Sequence, residues 1–190
     1  MVIVIWIRHG NKLYDNNKGP KGHPRFDPDI TDQDKYVLCP QKGNEIYQQY
    51  GIPDMIIVSP YLRTRTTAYH LYCNLTQGNP IDTTIDENIS EYLGNQRRMK
   101  LHDTDFDVDT IKYDFPDNKE LYSNISIRTQ RHLDHVLSHQ NKFILVVTHG
   151  LIIKSIANHF NIKIDDIQPL QGIIYYDGVP TLFNYIFLNI

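Results

Sequence analysis

The chain opens on an unbroken apolar run, Val2 to Ile7, which gives way at once to Arg8, His9 and Gly10. A short run apolar on both faces predicts a strand of a parallel sheet buried between two layers of helices. The pattern recurs in Met55 to Val58, ending in Ser59-Pro60, and in Phe143 to Val147, ending in Thr148-His149-Gly150. Amphipathic stretches follow both of these strands. One begins near Leu62, turns Ala68, Leu71 and Leu75 inward and leaves Arg63 in its first turn. The other turns Ile152, Ile153, Ile156, Ala157 and Phe160 inward.

Weaker signals fill the gaps. Gly43 to Tyr50 predicts a short helix with Ile46, Tyr47 and Tyr50 on one face and Gly51 as its stop. Residues 81–86 predict a short edge strand, and Lys119 to Gln140 a helix with Ile125, Leu133, Val136 and Leu137 inward. The tail from Gly172 predicts two strands about an Asp177-Gly178 turn. Strands alternating with helices give an α/β fold, a three-layer α/β/α sandwich with a mostly parallel central sheet.

Two polar stretches interrupt this pattern, near 11–37 and 95–117. The first carries Asn16, Asn17, Gly19, Pro20, Gly22 and Pro24 as breakers and reads as a long connection over the sheet edge. The second alternates Asp103, Asp105, Asp107 and Asp109 with other residues. It lacks the glycine and closing glutamate of a calcium loop and reads as a solvated insertion. His132, His135 and His139 share one face of the predicted third helix. No cysteine or carboxylate joins them in a metal pattern, so they read as surface histidines, and no metal or cofactor is expected.

Composition narrows the class. At 190 residues, with 41% hydrophobic and 22% charged residues, the chain suits a single domain over 1–190. A net charge of -3 gives no basic footprint for nucleic acid. The opening apolar run is too short to span a bilayer and has no signal-peptide flanks. Cys39 and Cys73 stand apart and read as free thiols. The expectation is a soluble intracellular protein, cytoplasmic or nuclear, with no membrane partner.

Candidate chemistry sits where the strands stop. If the three are neighbours, Arg8, His9, Arg63 and His149 meet at one sheet edge, where open α/β sheets bind ligands. Two guanidiniums offer forked donors to a tetrahedral dianion. Gly10 and Gly150 would add backbone N–H groups, and the helices starting after Gly150 and near Arg63 their positive ends. A neutral imidazole in such a pocket can attack phosphorus in line and form a phosphohistidine. The leaving oxygen then needs a proton, and a carboxylic acid at the pocket mouth is the expected donor.

Arg8-His9-Gly10, Ser59-Pro60-Tyr61-Leu62-Arg63 followed by Thr67-Ala68, and Thr148-His149-Gly150 together resemble the signature of the histidine phosphatase superfamily, with its phosphoglycerate-mutase-like fold. The resemblance implies that His9 is the phosphorylated nucleophile and that Arg8, Arg63 and His149 complete the phosphate pocket. Asn11 would be a further contact. The family's donor follows the short strand after the second motif, in a pattern like Leu-x-Glu-x-x-x-Gly. Glu91, in Ser90-Glu91-Tyr92-Leu93-Gly94, fits best, with Glu87 as the competitor. Where the family often shows Leu-Thr-x-x-Gly before its first helix, this chain has Cys39-Pro40-Gln41-Lys42-Gly43.

The same resemblance bears on substrate. Arg97 and Arg98 follow Glu91 too soon to match the carboxylate-holding arginines of the mutases, and no Trp-Asn stretch follows Gly10. The long loop after Asn11 and the short Glu-Tyr segment look like the protein-phosphatase branch. The expected substrate is therefore phosphotyrosine, or phosphoserine, in peptides. A phosphatase or mutase of small phosphomonoesters is the first alternative, and a catalytically silent phosphate-binding module the second. A homodimer is compatible with either.

Overall fold

β1 (Ile3–Arg8) is buried on both faces for nearly its whole length, and every other element is placed relative to it. The structure, a computed structural model, describes residues 2–14, 27–75, 81–92, 123–139 and 142–183. The breakers between Asn16 and Pro24, the stretch from Gly94 to Asp117 with Arg97, Arg98 and the aspartate alternation, and residues 184–190 lie outside them.

Six strands form one sheet in the order β3 (Asp82–Ile85), β2 (Met55–Val58), β4 (Phe143–Thr148), β1, β5 (Gly172–Tyr176) and β6 (Val179–Phe183). The first four run parallel and β5 is antiparallel to β1, so the sheet is mixed and mostly parallel, as the pattern predicts. The hairpin between β5 and β6 turns through Asp177 and Gly178, both at positive φ (48° and 94°). Among the described residues no helix is long and apolar enough to cross a membrane.

Strand alternation explains the layers. Ile3, Ile5 and Ile7 of β1 pack with Phe143, Leu145 and Val147 of β4 against α1 (Cys39–Tyr50) and α2 (Leu62–Leu75), through Ile46, Ala68 and Leu71. The intervening Val4, Trp6, Ile144 and Val146 face α3 (Ser123–Ser138) and α4 (Gly150–His159), through Leu133, Val136, Ile152 and Ile156. Both faces of the central strands are thus dry. That is why they read as continuous apolar runs rather than alternating ones.

The first helix departs from expectation. It begins before Gly43, with helical backbone from Asp32 and a π-helical turn over Asp34–Leu38 that runs into α1. Pro40 has no N–H to donate, and its ring crowds the carbonyl four residues back. The helix widens, and Cys39 N–H bonds to the Asp34 carbonyl five residues earlier. The departure from Leu-Thr-x-x-Gly thus falls inside this helix. Thr31 is the missed start signal: its Oγ1 accepts from Asp34 N–H at 3.2 Å, as a helix-capping threonine does.

The face carrying His132, His135 and His139 is a correction. His135 is exposed, but His132 is fully buried beneath Trp6, so the surface reading fails for it. Spacing places a residue on a face, and here the sheet packs over that part of the face.

Candidate active site

Strand register assembles the site. In the parallel pairs, Arg8 lies opposite Thr148 and Val58 opposite Val147. The residues that follow each strand therefore emerge together at the carboxyl edge. His9 N–H donates to the Thr148 carbonyl at 3.0 Å, and Ser59 N–H to the Val147 carbonyl at 3.1 Å.

His9 is buried, with its ring 5.3 Å from that of His149 between centroids, edge to face. Its Nδ1 lies 2.6 Å from the Gly10 carbonyl oxygen. A carbonyl can only accept, so Nδ1 carries the hydrogen and Nε2 keeps its lone pair. Burial, followed by the charge of Arg63, holds the imidazole well below its usual pKa and therefore neutral near pH 7.

Arg63 is the buried cation of the site, with 0% of its surface exposed. Nη1 lies 3.3 Å from Asp27 Oδ1 and Nη2 3.2 Å from Glu91 Oε2, while the guanidinium carbon sits 4.5 Å from the centre of the Tyr61 ring. Its place in the first turn of α2 is fixed by Asp27, whose two carboxylate oxygens accept from Leu62 N–H at 2.8 and 3.0 Å. Burial raises Asp27 to about 6, against the pull of Arg63 and of that N–H. Asp27 was not legible in the sequence. It sits in a polar Asp-Pro-Asp stretch that reads as a turn, and its partners lie beyond any local pattern.

His149 is equally buried. Its Nε2 lies 2.7 Å from Ser59 Oγ, and its Nδ1 3.3 Å from Glu91 Oε2 without hydrogen-bond alignment. Burial lowers its pKa to about 4, with Glu91 opposing and Arg63 assisting. For Glu91, burial favours the protonated form, but His149, Arg63 and His9 outweigh it and hold the carboxyl below its ordinary value. The protein without ligand therefore holds a Glu91 carboxylate against the Arg63 guanidinium.

His9, Arg63, His149 and Glu91 thus come together. The other named residues stand differently. Arg8 is half-buried, donates from Nη1 to the Ile167 carbonyl and packs on Gly150, where an added Cβ would lie 3.5 Å from Arg8 Cδ. Asn11 is exposed and donates to Asp34 Oδ1 at 3.2 Å. Glu87 is exposed on the short helix Glu87–Ile89 that leads to Glu91. Gly10 corrects an expectation: its N–H donates to Thr67 Oγ1 at 3.0 Å, so it does not face a ligand.

Ligand atoms of His9, Glu91 and His149 lie within 4.8 Å of one another, a two-histidine, one-carboxylate set of the kind that binds divalent cations. The Arg63 guanidinium on the same carboxylate opposes a second positive charge there. An anion that can draw Arg63 away from Glu91 suits the pocket better.

A mostly parallel α/β sandwich with a buried arginine, two neutral imidazoles and a carboxylate at its strand ends defines a phosphomonoester-handling enzyme. The chain belongs to the histidine phosphatase superfamily (branch 1), whose family pattern matches residues 4–172. That membership makes it an enzyme of the superfamily's phosphatase and mutase class.

Solved structures share the fold at low identity. The ecdysone phosphate phosphatase of Bombix mori, in complex with tungstate, matches with a TM-score of 0.71 at 11% identity, over 97% of this chain and 93% of that one. A phosphoserine phosphatase of Entamoeba histolytica matches at 0.57 and 20%, covering 97% and 96%. A phosphoglycerate mutase of Bacillus anthracis matches at 0.62 and 16%, covering 95% and 91%. No curated protein matches the chain.

Proposed function

We propose that the chain is a metal-independent phosphomonoesterase working through a phosphohistidine at His9, and that it acts on phosphotyrosine, or phosphoserine, in peptides. One observation carries this reading. The Gly10 carbonyl commits the Nδ1 hydrogen of His9, leaving a lone pair on Nε2 in a pocket that also holds Arg63. The positive charge that a metal would supply comes from Arg63.

In the first step His9 Nε2 attacks phosphorus as the bond to the leaving oxygen breaks, and Glu91 gives that oxygen its proton. In the second, water attacks phosphorus, the P–N bond breaks, inorganic phosphate leaves and Glu91 recovers a proton from the water. Glu91 must be protonated for the first step, although it is a carboxylate in the free protein. The incoming dianion competes for Arg63 and reverses the field on Glu91, raising its pKa as the complex forms.

Glu91 is preferred to Glu87 because it is the acid in contact with Arg63 and His149. Phosphotyrosine is preferred because a phenoxide, with a pKa near ~10, leaves more easily than an alkoxide. Hydrolysis of para-nitrophenyl phosphate is expected, with loss of turnover in His9→Ala and an acid-labile phosphoryl adduct in the wild type. Turnover that survives in His9→Ala would sink the nucleophile assignment. A panel of phosphopeptides against sugar phosphates, ranked by kcat/KM, tests the substrate class, and a preference for the sugar phosphates would overturn it.

A further inference from the structure

A buried relay lies behind the site, made of residues that no step above uses. Trp6 Nε1 donates to His132 Nε2 at 2.9 Å, and His132 Nδ1 lies 2.7 Å from Asp86 Oδ2. An indole nitrogen can only donate, so Nε2 of His132 must accept and Nδ1 must carry the hydrogen. That hydrogen goes to Asp86. The other Asp86 oxygen, Oδ1, accepts from Asn88 N–H at 2.8 Å and caps the short helix Glu87–Ile89. Two further bonds hold the same turn: Arg128, one helical turn before His132, donates to the Asn88 carbonyl at 2.7 Å, and Thr148 Oγ1 to the Ile89 carbonyl at 2.8 Å. Glu91 leaves this clamped turn two residues on.

We propose that His132 is a positioning residue for Glu91, acting through Asp86, and that Trp6 sets its tautomer. The proposal rests on the reading of Glu91 as proton donor. Trp6 lies on β1, three residues before His9. The relay therefore ties the strand that carries the nucleophile to the turn that carries the acid, with an α3 side chain as the spacer. A buried histidine with both ring nitrogens committed has one orientation, which is what a fixed acid–nucleophile distance requires. A purely structural role for His132 would affect all substrates alike. A positioning role falls on the proton transfer, which matters most where the leaving group is poor.

The test compares alkyl and aryl phosphates. Glu91→Gln is expected to lower kcat on a simple alkyl phosphate about 10²-fold and on para-nitrophenyl phosphate far less. His132→Leu is expected to lower the alkyl kcat about tenfold with the aryl kcat within about twofold, and to leave inhibition by inorganic phosphate unchanged. His132→Asn, whose amide N–H can still reach Asp86, should recover the greater part. Asp86→Asn, which keeps an acceptor for the cap, should show the same selectivity and carries the test if His132→Leu fails to fold. Selective loss in Glu91→Gln with equal alkyl and aryl losses in the other variants overturns the positioning role alone. Equal losses in Glu91→Gln itself overturn the donor reading and the positioning role with it.

Discussion

Burial keeps two imidazoles neutral at the ends of β1 and β4, and this sets their pH response. His9 lies well below its ordinary pKa and His149 falls to about 4, both first through desolvation. On the proposed mechanism the attacking imidazole must be unprotonated, so the acid limb of kcat/KM should lie below the ordinary imidazole value of ~6.5, after allowance for the substrate's own second ionisation. A half-point at ~6.5 would contradict a buried neutral nucleophile. Asp27 shifts the opposite way, up to about 6. Its folded pKa exceeds its unfolded one, so between the two the native state binds more protons and loses stability as pH rises. Wild type should therefore lose stability relative to Asp27→Asn as pH goes from about 4 to about 6, with a constant difference above ~7. Denaturant unfolding at a series of pH values checks this, and a relative gain across that window would refute it.

Among the elements, the contact between β1 and β5 is the least forgiving. Gly172 lies opposite Ile7 in an antiparallel pair, and a Cβ built on it would sit 1.7 Å from the Trp6 carbonyl oxygen. The obstacle is backbone, which cannot step aside as a side chain can. Gly172→Ala should cost about 3 kcal/mol or more by chemical denaturation. A loss within ~0.5 kcal/mol, the range of an ordinary surface change, would show that the strand pair can open there. The π-helical turn belongs to the same scale. It arises where Pro40 cannot complete an α-helical bond, and it lies in the stretch that brings Asp34 to Asn11. A proline among polar residues reads as a breaker in sequence. Here the helix absorbs it, because Thr31 caps one side and Ile46 anchors the other in the core.

For the whole molecule, the site is a junction of segments that meet only in the native state. His9 follows β1, Arg63 opens α2, Glu91 follows β3 and His149 follows β4. An oxyanion that bridges them binds folded protein and not the unfolded chain. Phosphate or tungstate at about a hundred times its Kd should add about 2.7 kcal/mol, a rise in Tm of about 5–10 °C for a domain of this size. Arg63→Ala should abolish the rise. An unchanged rise in that variant would place the anion elsewhere.

The central strands, the helix after each and the three motifs are all legible in the sequence. A strand buried on both faces must be apolar throughout, and the polar residues that end it then stand out. Sequence could not decide between Glu91 and Glu87, because two acids four residues apart about one short turn differ only in which way the chain leaves it. It gave no sign of Asp27, and it left His132 among surface histidines. The partner that fixes His132, Trp6, lies 126 residues away, and only the packing of α3 on the sheet brings the two rings together. Residue types specified which groups could do chemistry; register and packing decided which of them share one pocket, since those contacts join parts of the chain that no local pattern connects.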